Sequence, residues 1–244
     1  SISGMGQVKQ SLTSLKATLG GLDGKNGLSV SSSGSAVGVT ISDPALAKEF
    51  SHDVTVTQLA KAQTLVFDSF ASDSVDLGAG SLVFSFGSWS SSTFTADSSI
   101  SAETVTISSS TSTLVGIRDA VNDANIGVKA SIIQKTSSNF ALVFQSSTGA
   151  SKEMRIVATE TSAGSGLADI GFSTFNASKE TVAGADANFT VDGISIVRES
   201  NNISDIQSGV ELELKSTTSS AEKVSSKWSS EEALTVLKDY VSNM

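Results

Sequence analysis

Between Val54 and Leu214 the apolar residues recur at every second position in short runs, and this period of two constrains the fold more than any other feature. Successive side chains of a strand point to opposite faces, so each run reads as a strand with one buried face. Val54 and Val56 open the series. Leu82, Phe84 and Phe86 line the next face after the turn signal Gly78-Ala79-Gly80, and Val105 and Ile107 mark another. Val128-Ala130-Ile132, Phe140-Leu142-Phe144 and Met154-Ile156-Ala158 follow, separated by polar turns. Phe189 and Val191 precede Asp192-Gly193, a tight-hairpin dipeptide, with Ile194 and Ile196 beyond it. Val210, Leu212 and Leu214 close the series.

Three stretches interrupt it. Thr113 stands before Leu114, Ile117 and Val121, which predicts a compact helix stopped near Asn125 and Gly127. Gln58 to Gln63, around Leu59, predicts a short helical or turn element, and the Gly- and Ser-rich passage Ser162 to Gly171 a surface loop. Residues 81 to about 160 then run strand, strand, helix, strand, strand, strand, a compact α+β unit. Strands at about 28–67 and at 184–226 bracket it. The expected class is α+β, mostly β. A discontinuous β middle domain (26–80 and 184–226) carries an inserted α+β outer domain (81–183).

The chain ends follow a different period. Met5, Val8, Leu12, Leu15, Leu19 and Leu22 form an a/d seam, ended by Gly20, Gly21 and Gly24. At the far end Ser229 and Glu232 offer a capping box before Leu234, Leu237, Val241 and Met244, with Tyr240 beside them. Residues 1–25 and 227–244 are therefore expected to form a short antiparallel helical stub. Its packing seam is Val8, Leu12, Leu15 and Leu19 against Leu234, Leu237 and Val241. Because the chain starts and stops inside these patterns, it is expected to be the central fragment of a longer protein.

Composition narrows the chemistry. A net charge of −9 argues against nucleic acid and against an anionic membrane surface, both of which want clustered Lys and Arg. With no Cys there is no disulfide framework and no thiolate metal site. No apolar run is long enough to cross a bilayer, and no cleavable signal pattern opens the chain. The one His, His52, lies beside Asp53 at a strand entrance and reads as an exposed polar residue, because no Gly-x-Ser-x-Gly elbow supplies it with a nucleophile. Gly164-Ser165-Gly166 resembles the start of a phosphate loop, but no Gly-Lys-Ser/Thr follows, so a flexible loop is the expected reading. Acidic residues lack calcium-loop spacing. Sequons at Asn176, Asn188 and Asn202 are common by chance in a Ser/Thr-rich chain. Trp89, set in a Ser-rich loop, is expected to be structural or exposed by chance, with contact to a partner as the weaker alternative. No catalytic, cofactor or metal site is expected, and the chain is not expected to be an enzyme.

Four segments join into a family pattern. Val54-Thr55-Val56-Thr57-Gln58-Leu59-Ala60-Lys61-Ala62-Gln63 resembles the VTQLAxAQ signature of the bacterial flagellar filament capping proteins (hook-associated protein 2, the FliD family). Thr113-Leu114-Val115-Gly116-Ile117-Arg118-Asp119-Ala120-Val121-Asn122 is similar to the TLxxIRDAIN repeat of flagellar axial proteins, and Gly127 to Ile132 to its GVxASI continuation. Ala187 to Gly193, with Ile203 to Ile206 and Gly209-Val210, resembles the start of the family's C-terminal region. Leu237-Lys238-Asp239-Tyr240-Val241 is similar to its returning helix. The resemblance implies a structural cap at the distal end of the flagellum, exported by the flagellar export apparatus, under which exported flagellin folds and inserts. It implies a homo-oligomer, commonly about five-fold, with flagellin as partner, hook–filament junction proteins and an export chaperone as further partners, and no nucleic acid, membrane insertion or cofactor. Two alternatives stay open: another hook-associated or flagellin-like axial protein, or a surface adhesin binding mucin or glycans.

Overall fold

The computed structural model describes residues 27–231, 234 and 238. The chain divides into two compact units, one of residues up to Leu59 with Asn188–Ile196 and Asn201 onward, the other of Ala60–Ala187 with Val197–Ser200.

In the first unit a five-stranded antiparallel sheet holds strands from both halves of the sequence. β1 (Leu28–Ser32) and β16 (Glu222–Trp228) lie beside β3 (Phe50–Gln58), then β12 (Ala187–Val191) and β13 (Ile194–Arg198), in the order β1-β16-β3-β12-β13. A smaller sheet has the order β14 (Asn202–Ile203), β15 (Val210–Leu214), β2 (Val37–Ile41). The alternation in the sequence is realised directly: Val54, Val56, Phe189, Val191, Val210, Leu212 and Leu214 are buried. Asp192 and Gly193 both take positive φ, 50° and 81°, the turn that matches strand twist in a two-residue hairpin. Gly209 (φ 73°) is required twice over, since a Cβ there would stand 2.4 Å from the Asp43 carbonyl oxygen.

The second unit is α+β. β5 (Gly80–Ser90) pairs along its length with β10 (Glu153–Glu160), and on its other edge first with β7 (Glu103–Ile107) and then with β6 (Thr93–Ala96). A second sheet has the order β11 (Glu180–Val182), β4 (Ala62–Phe70), β9 (Asn139–Thr148), β8 (Lys129–Thr136). Helix α1 (Leu114–Asp123) opens at Thr113, whose hydroxyl accepts from the Gly116 amide, and buries Leu114, Ile117 and Val121. The shared core gathers Leu65, Phe67, Leu82, Phe84, Phe144, Met154 and Ile156. Phe144 meets Phe67 and Phe84 edge-on, at centroid distances of 5.6 and 5.7 Å.

Four expectations change. β4 was expected in the middle domain, yet it pairs with β9 and β11, so the units divide at 59/60 and 187/188 where 80/81 and 183/184 were expected. The apolar residues of β4 find their partners there: Leu65 sits opposite Phe144, and Phe67 opposite Leu142. Gln58 to Gln63 forms no helical turn. β3 runs to Gln58, and Lys61 and Ala185 are bridged by two backbone hydrogen bonds of 2.8 and 3.0 Å, which hold the chain extended. β6 is an additional strand, too short and polar to show a period. Within Ser162–Gly171, the residues Leu167–Ile170 form a 3-10 turn, because Leu167 and Ile170 are fully buried.

Candidate interaction surfaces

Of the expected packing seam, Val8, Leu12, Leu15, Leu19, Leu237 and Val241 lie outside the described residues. Leu234 is helical and 50% exposed, so it leaves an apolar side chain on the surface.

The first and last strands among the described residues lie side by side in the sheet of the first unit. β1 pairs with β16 in the register Leu28↔Trp228, Val30↔Ser226, Ser32↔Val224, and the Ser229 amide donates to the Gly27 carbonyl at 2.7 Å. Residues two apart share a face, so Val224, Ser226 and Trp228 line one side of β16. Burial along it runs from 0% exposure at Val224 and 1% at Ser226 to 62% at Trp228. The Trp228 amide donates to Glu49 Oε1 at 2.7 Å, which fixes the strand end while the indole remains open. Single-sequence reading passes over this residue, because Glu222–Trp228 carries no apolar period that would mark its strand.

His52 is not a free surface residue. Its ring is half-buried, stacks on Phe50 at 5.5 Å and places Nδ1 2.7 Å from Asp192 Oδ2. The second Asp192 oxygen accepts the Asp53 amide at 2.8 Å, so the hairpin turn is clamped to β3 through one carboxylate. The Asp53 amide, then the His52 ring, hold the Asp192 carboxyl below the usual carboxylate range. A Lys223–Asp53 ion pair of 2.7 Å continues the surface network. The arrangement joins β3 to the turn.

Several polar groups of the second unit are likewise engaged within it. Glu153, 6% exposed, accepts from the Trp89 amide at 2.7 Å and the Gly184 amide at 3.0 Å, and burial raises its carboxyl above the ordinary value. Gln63, fully buried, accepts from Met154 N and donates to Glu180 Oε1. Trp89 lies on β5 rather than in a loop. Its Nε1 donates to the Met154 carbonyl, and its ring packs on Phe94, Phe172 and Phe175. The Gly164-Ser165-Gly166 segment does cradle an anion, but an internal one: the amides of Gly164, Gly166 and Ala168 donate to Glu160 at 2.7, 2.9 and 3.0 Å. Those three amides, Ala168 foremost, hold Glu160 below the usual carboxylate range. A groove of about 460 Å³ beside β4 contains Phe67, Phe70, Asn176 and Lys179. The Lys179 ammonium lies 4.8 Å from the Phe67 ring centre and donates to the carbonyls of Asp169 and Gly171. Among the described residues no group of three or more His, Cys, Asp or Glu side chains is arranged to hold a metal ion.

Comparison with known proteins follows the same lines. The family model described as flagellar hook-associated protein 2 C-terminus matches residues 184–243. Flagellar hook-associated protein 2 of Escherichia coli strain K12 is 30% identical over 217 residues, covering 84% of this chain and 43% of that protein. The O157:H7 relative is 29% identical over 84% of this chain and 42% of its own length, so the chain spans about two fifths of the curated relatives it matches. The solved D1-D2-D3 domains of the E. coli flagellar cap protein FliD superpose with a TM-score of 0.72 at 26% identity, covering 98% of this chain and 67% of that one. The Serratia marcescens D2-D3 domains superpose with a TM-score of 0.63 at 29% identity, over 78% of this chain and all of theirs. In sequence and in fold, the chain belongs to the flagellar hook-associated protein 2 family.

Proposed function

We propose that this chain forms the head region of a filament cap at the distal end of a bacterial flagellum, where exported flagellin folds and inserts. The observation that carries this reading is the superposition of nearly the whole chain on flagellar cap domains, joined to sequence identity over 84% of it. The role is structural. Filament growth needs folding and packing energy and a sheltered site, and the polar side chains described above are engaged in hydrogen bonds each within its own unit. The cap works as a homo-oligomer with flagellin as its client, outside the cell, and reaches the tip through the flagellar export route. The packing seam of Val8, Leu12, Leu15, Leu19, Leu234, Leu237 and Val241 gives the cap its leg. The middle domain supplies a β unit of the head, and the inserted α+β domain supplies a second.

Electron microscopy of the purified full-length protein tests this reading. A closed ring or plate in solution, with antibody label confined to filament tips, is expected. A monomer at all concentrations together with label along filament shafts would contradict it.

A further inference from the structure

The dipeptide that makes the β12–β13 turn is also a chemically weak one. A two-residue turn with positive φ at both positions selects Asp-Gly, and Asp192 and Gly193 take φ of 50° and 81°. Glycine carries no side chain to shield its amide nitrogen, so that nitrogen can attack the carboxyl carbon of the preceding aspartate. The new N–Cγ bond closes a five-membered succinimide, and one water leaves. Water then adds to either ring carbonyl, which returns aspartate or leaves isoaspartate, whose main chain runs through the β-carbon. The water lost is the water regained, and no other reactant is consumed. We infer that Asp192-Gly193 is a site of isoaspartate formation in this chain, and that His52 and the Asp53 amide guard it by holding the carboxylate on β3.

The turn is open to the reaction. The Asp192 side chain is 49% exposed, and a Cβ placed on Gly193 would meet nothing within 4 Å, so water has access. Against this stand three contacts from β3. The Asp192 amide donates to the Asp53 carbonyl at 2.8 Å, the Asp53 amide donates back to Asp192 Oδ1 at 2.8 Å, and His52 Nδ1 lies 2.7 Å from Oδ2. A carboxylate can only accept, so the ring donates from Nδ1. With both oxygens engaged, the carboxyl group cannot rotate toward a new bond without breaking one of these. His52 is itself steadied by its stack on Phe50. The contacts also favour the less reactive charge state. Cyclisation expels water from the neutral acid, whereas a carboxylate has no comparable leaving group. The Asp53 amide first, then the His52 ring, hold Asp192 below the usual carboxylate range, and the Lys223 ammonium adds to this. Asp53, the other charge facing the turn, is paired with Lys223 at 2.7 Å. What the guard preserves is the hairpin. Isoaspartate adds one carbon to the main chain, which a two-residue turn cannot absorb without disturbing the pairing of β12 with β13.

The test ages the full chain at mildly acidic to neutral pH, folded or in urea, and follows isoaspartate with an isoaspartyl methyltransferase and labelled S-adenosylmethionine. Peptide mapping by mass spectrometry separates residues 192–193 from Asp23-Gly24 and Asn26-Gly27, the other pairs of this kind in the sequence. In the folded wild type, isoaspartate at 192–193 should accumulate severalfold more slowly than in urea. His52→Phe keeps an aromatic ring beside Phe50 and removes the donor, so its folded form should react severalfold faster than the folded wild type. His52→Asn keeps an N–H donor on the same strand position and should retain most of the protection. Equal rates in folded and urea-unfolded wild type overturn the inference with no variant needed. Equal rates in folded wild type and His52→Phe, with the folded state of both checked by their urea midpoints, overturn the guard. Equal acceleration in His52→Phe and His52→Asn also overturns it, because loosened packing and not the lost donor is then the cause. Absence of isoaspartate at 192–193 even in urea removes the site altogether.

Discussion

At the scale of single residues, three carboxylates make opposed predictions about pH. Glu160 and Asp192 are held below the ordinary carboxylate range, the first by backbone amides and the second by an amide and His52. A group with a depressed folded pKa contributes stability above its unfolded value, about 4.3 for Glu and 3.9 for Asp, and that contribution is lost as pH falls through the folded value. Thermal unfolding between about pH 5 and pH 2 should therefore steepen in the wild type. It should be shallower in Glu160→Gln, whose amide carries no titrating charge. Equal slopes would mean that the cradle does not discriminate the ionised form. Glu153 has the other sign. Burial raises its carboxyl, so its ionisation costs stability as pH climbs from the unfolded value, about 4.3, through the higher folded one. Carbon-13 NMR of the Glu153 carboxyl should show a midpoint above 4.3, and a midpoint below it would contradict the buried geometry. In the core, Phe144 wedges between Phe67 and Phe84 with no exposure of its own. Phe144→Ala should cost about 3–5 kcal/mol in urea unfolding of the second unit.

Among the elements, α1 and the β12–β13 hairpin were legible in advance because each carries local chemistry that needs no tertiary context. A Thr hydroxyl positioned on an amide sets where α1 begins, and Asp192-Gly193 at positive φ sets the turn. Thr113→Ala should cost about 1 kcal/mol, measurable as a lowered urea midpoint with unchanged m-value. The strands with clean alternation, β5, β7 and β15, were legible for the same reason. What escaped was partnership. Nothing local tells Leu65 and Phe67 on β4 to sit opposite Phe144 and Leu142 rather than beside β3, so the boundary was expected some twenty residues late. β6 escaped because Thr93–Ala96 is short and polar, and its place comes from pairing with β5. The internal anion of the Gly-rich segment escaped because Glu160 precedes the loop and no motif links them. The His52–Asp192 clamp escaped because its partners are 140 residues apart in sequence. Of the candidate surface, the heptad seam was readable as a pattern, whereas Trp228 became visible only when its burial could be compared with that of its own strand.

For the whole molecule, the hydrogen bonds between Lys61 and Ala185 bring the start and the end of the inserted unit together, the geometry of a segment that closes on itself. Residues 60–187 expressed alone should keep a cooperative unfolding transition and a partly buried Trp89, read by emission wavelength; a broad, non-cooperative melt would show that the unit depends on the rest of the chain. The functional reading belongs to this scale too, since it comes from the fold and the family and not from any one site. Its most direct test is genetic: delete the gene for the full-length protein in its motile host and assay flagellin inside and outside the cell. Flagellin secreted into the medium as monomer, with hooks but no filaments, is the result predicted for a filament cap, and filaments of normal length and number on the deletion strain would contradict it.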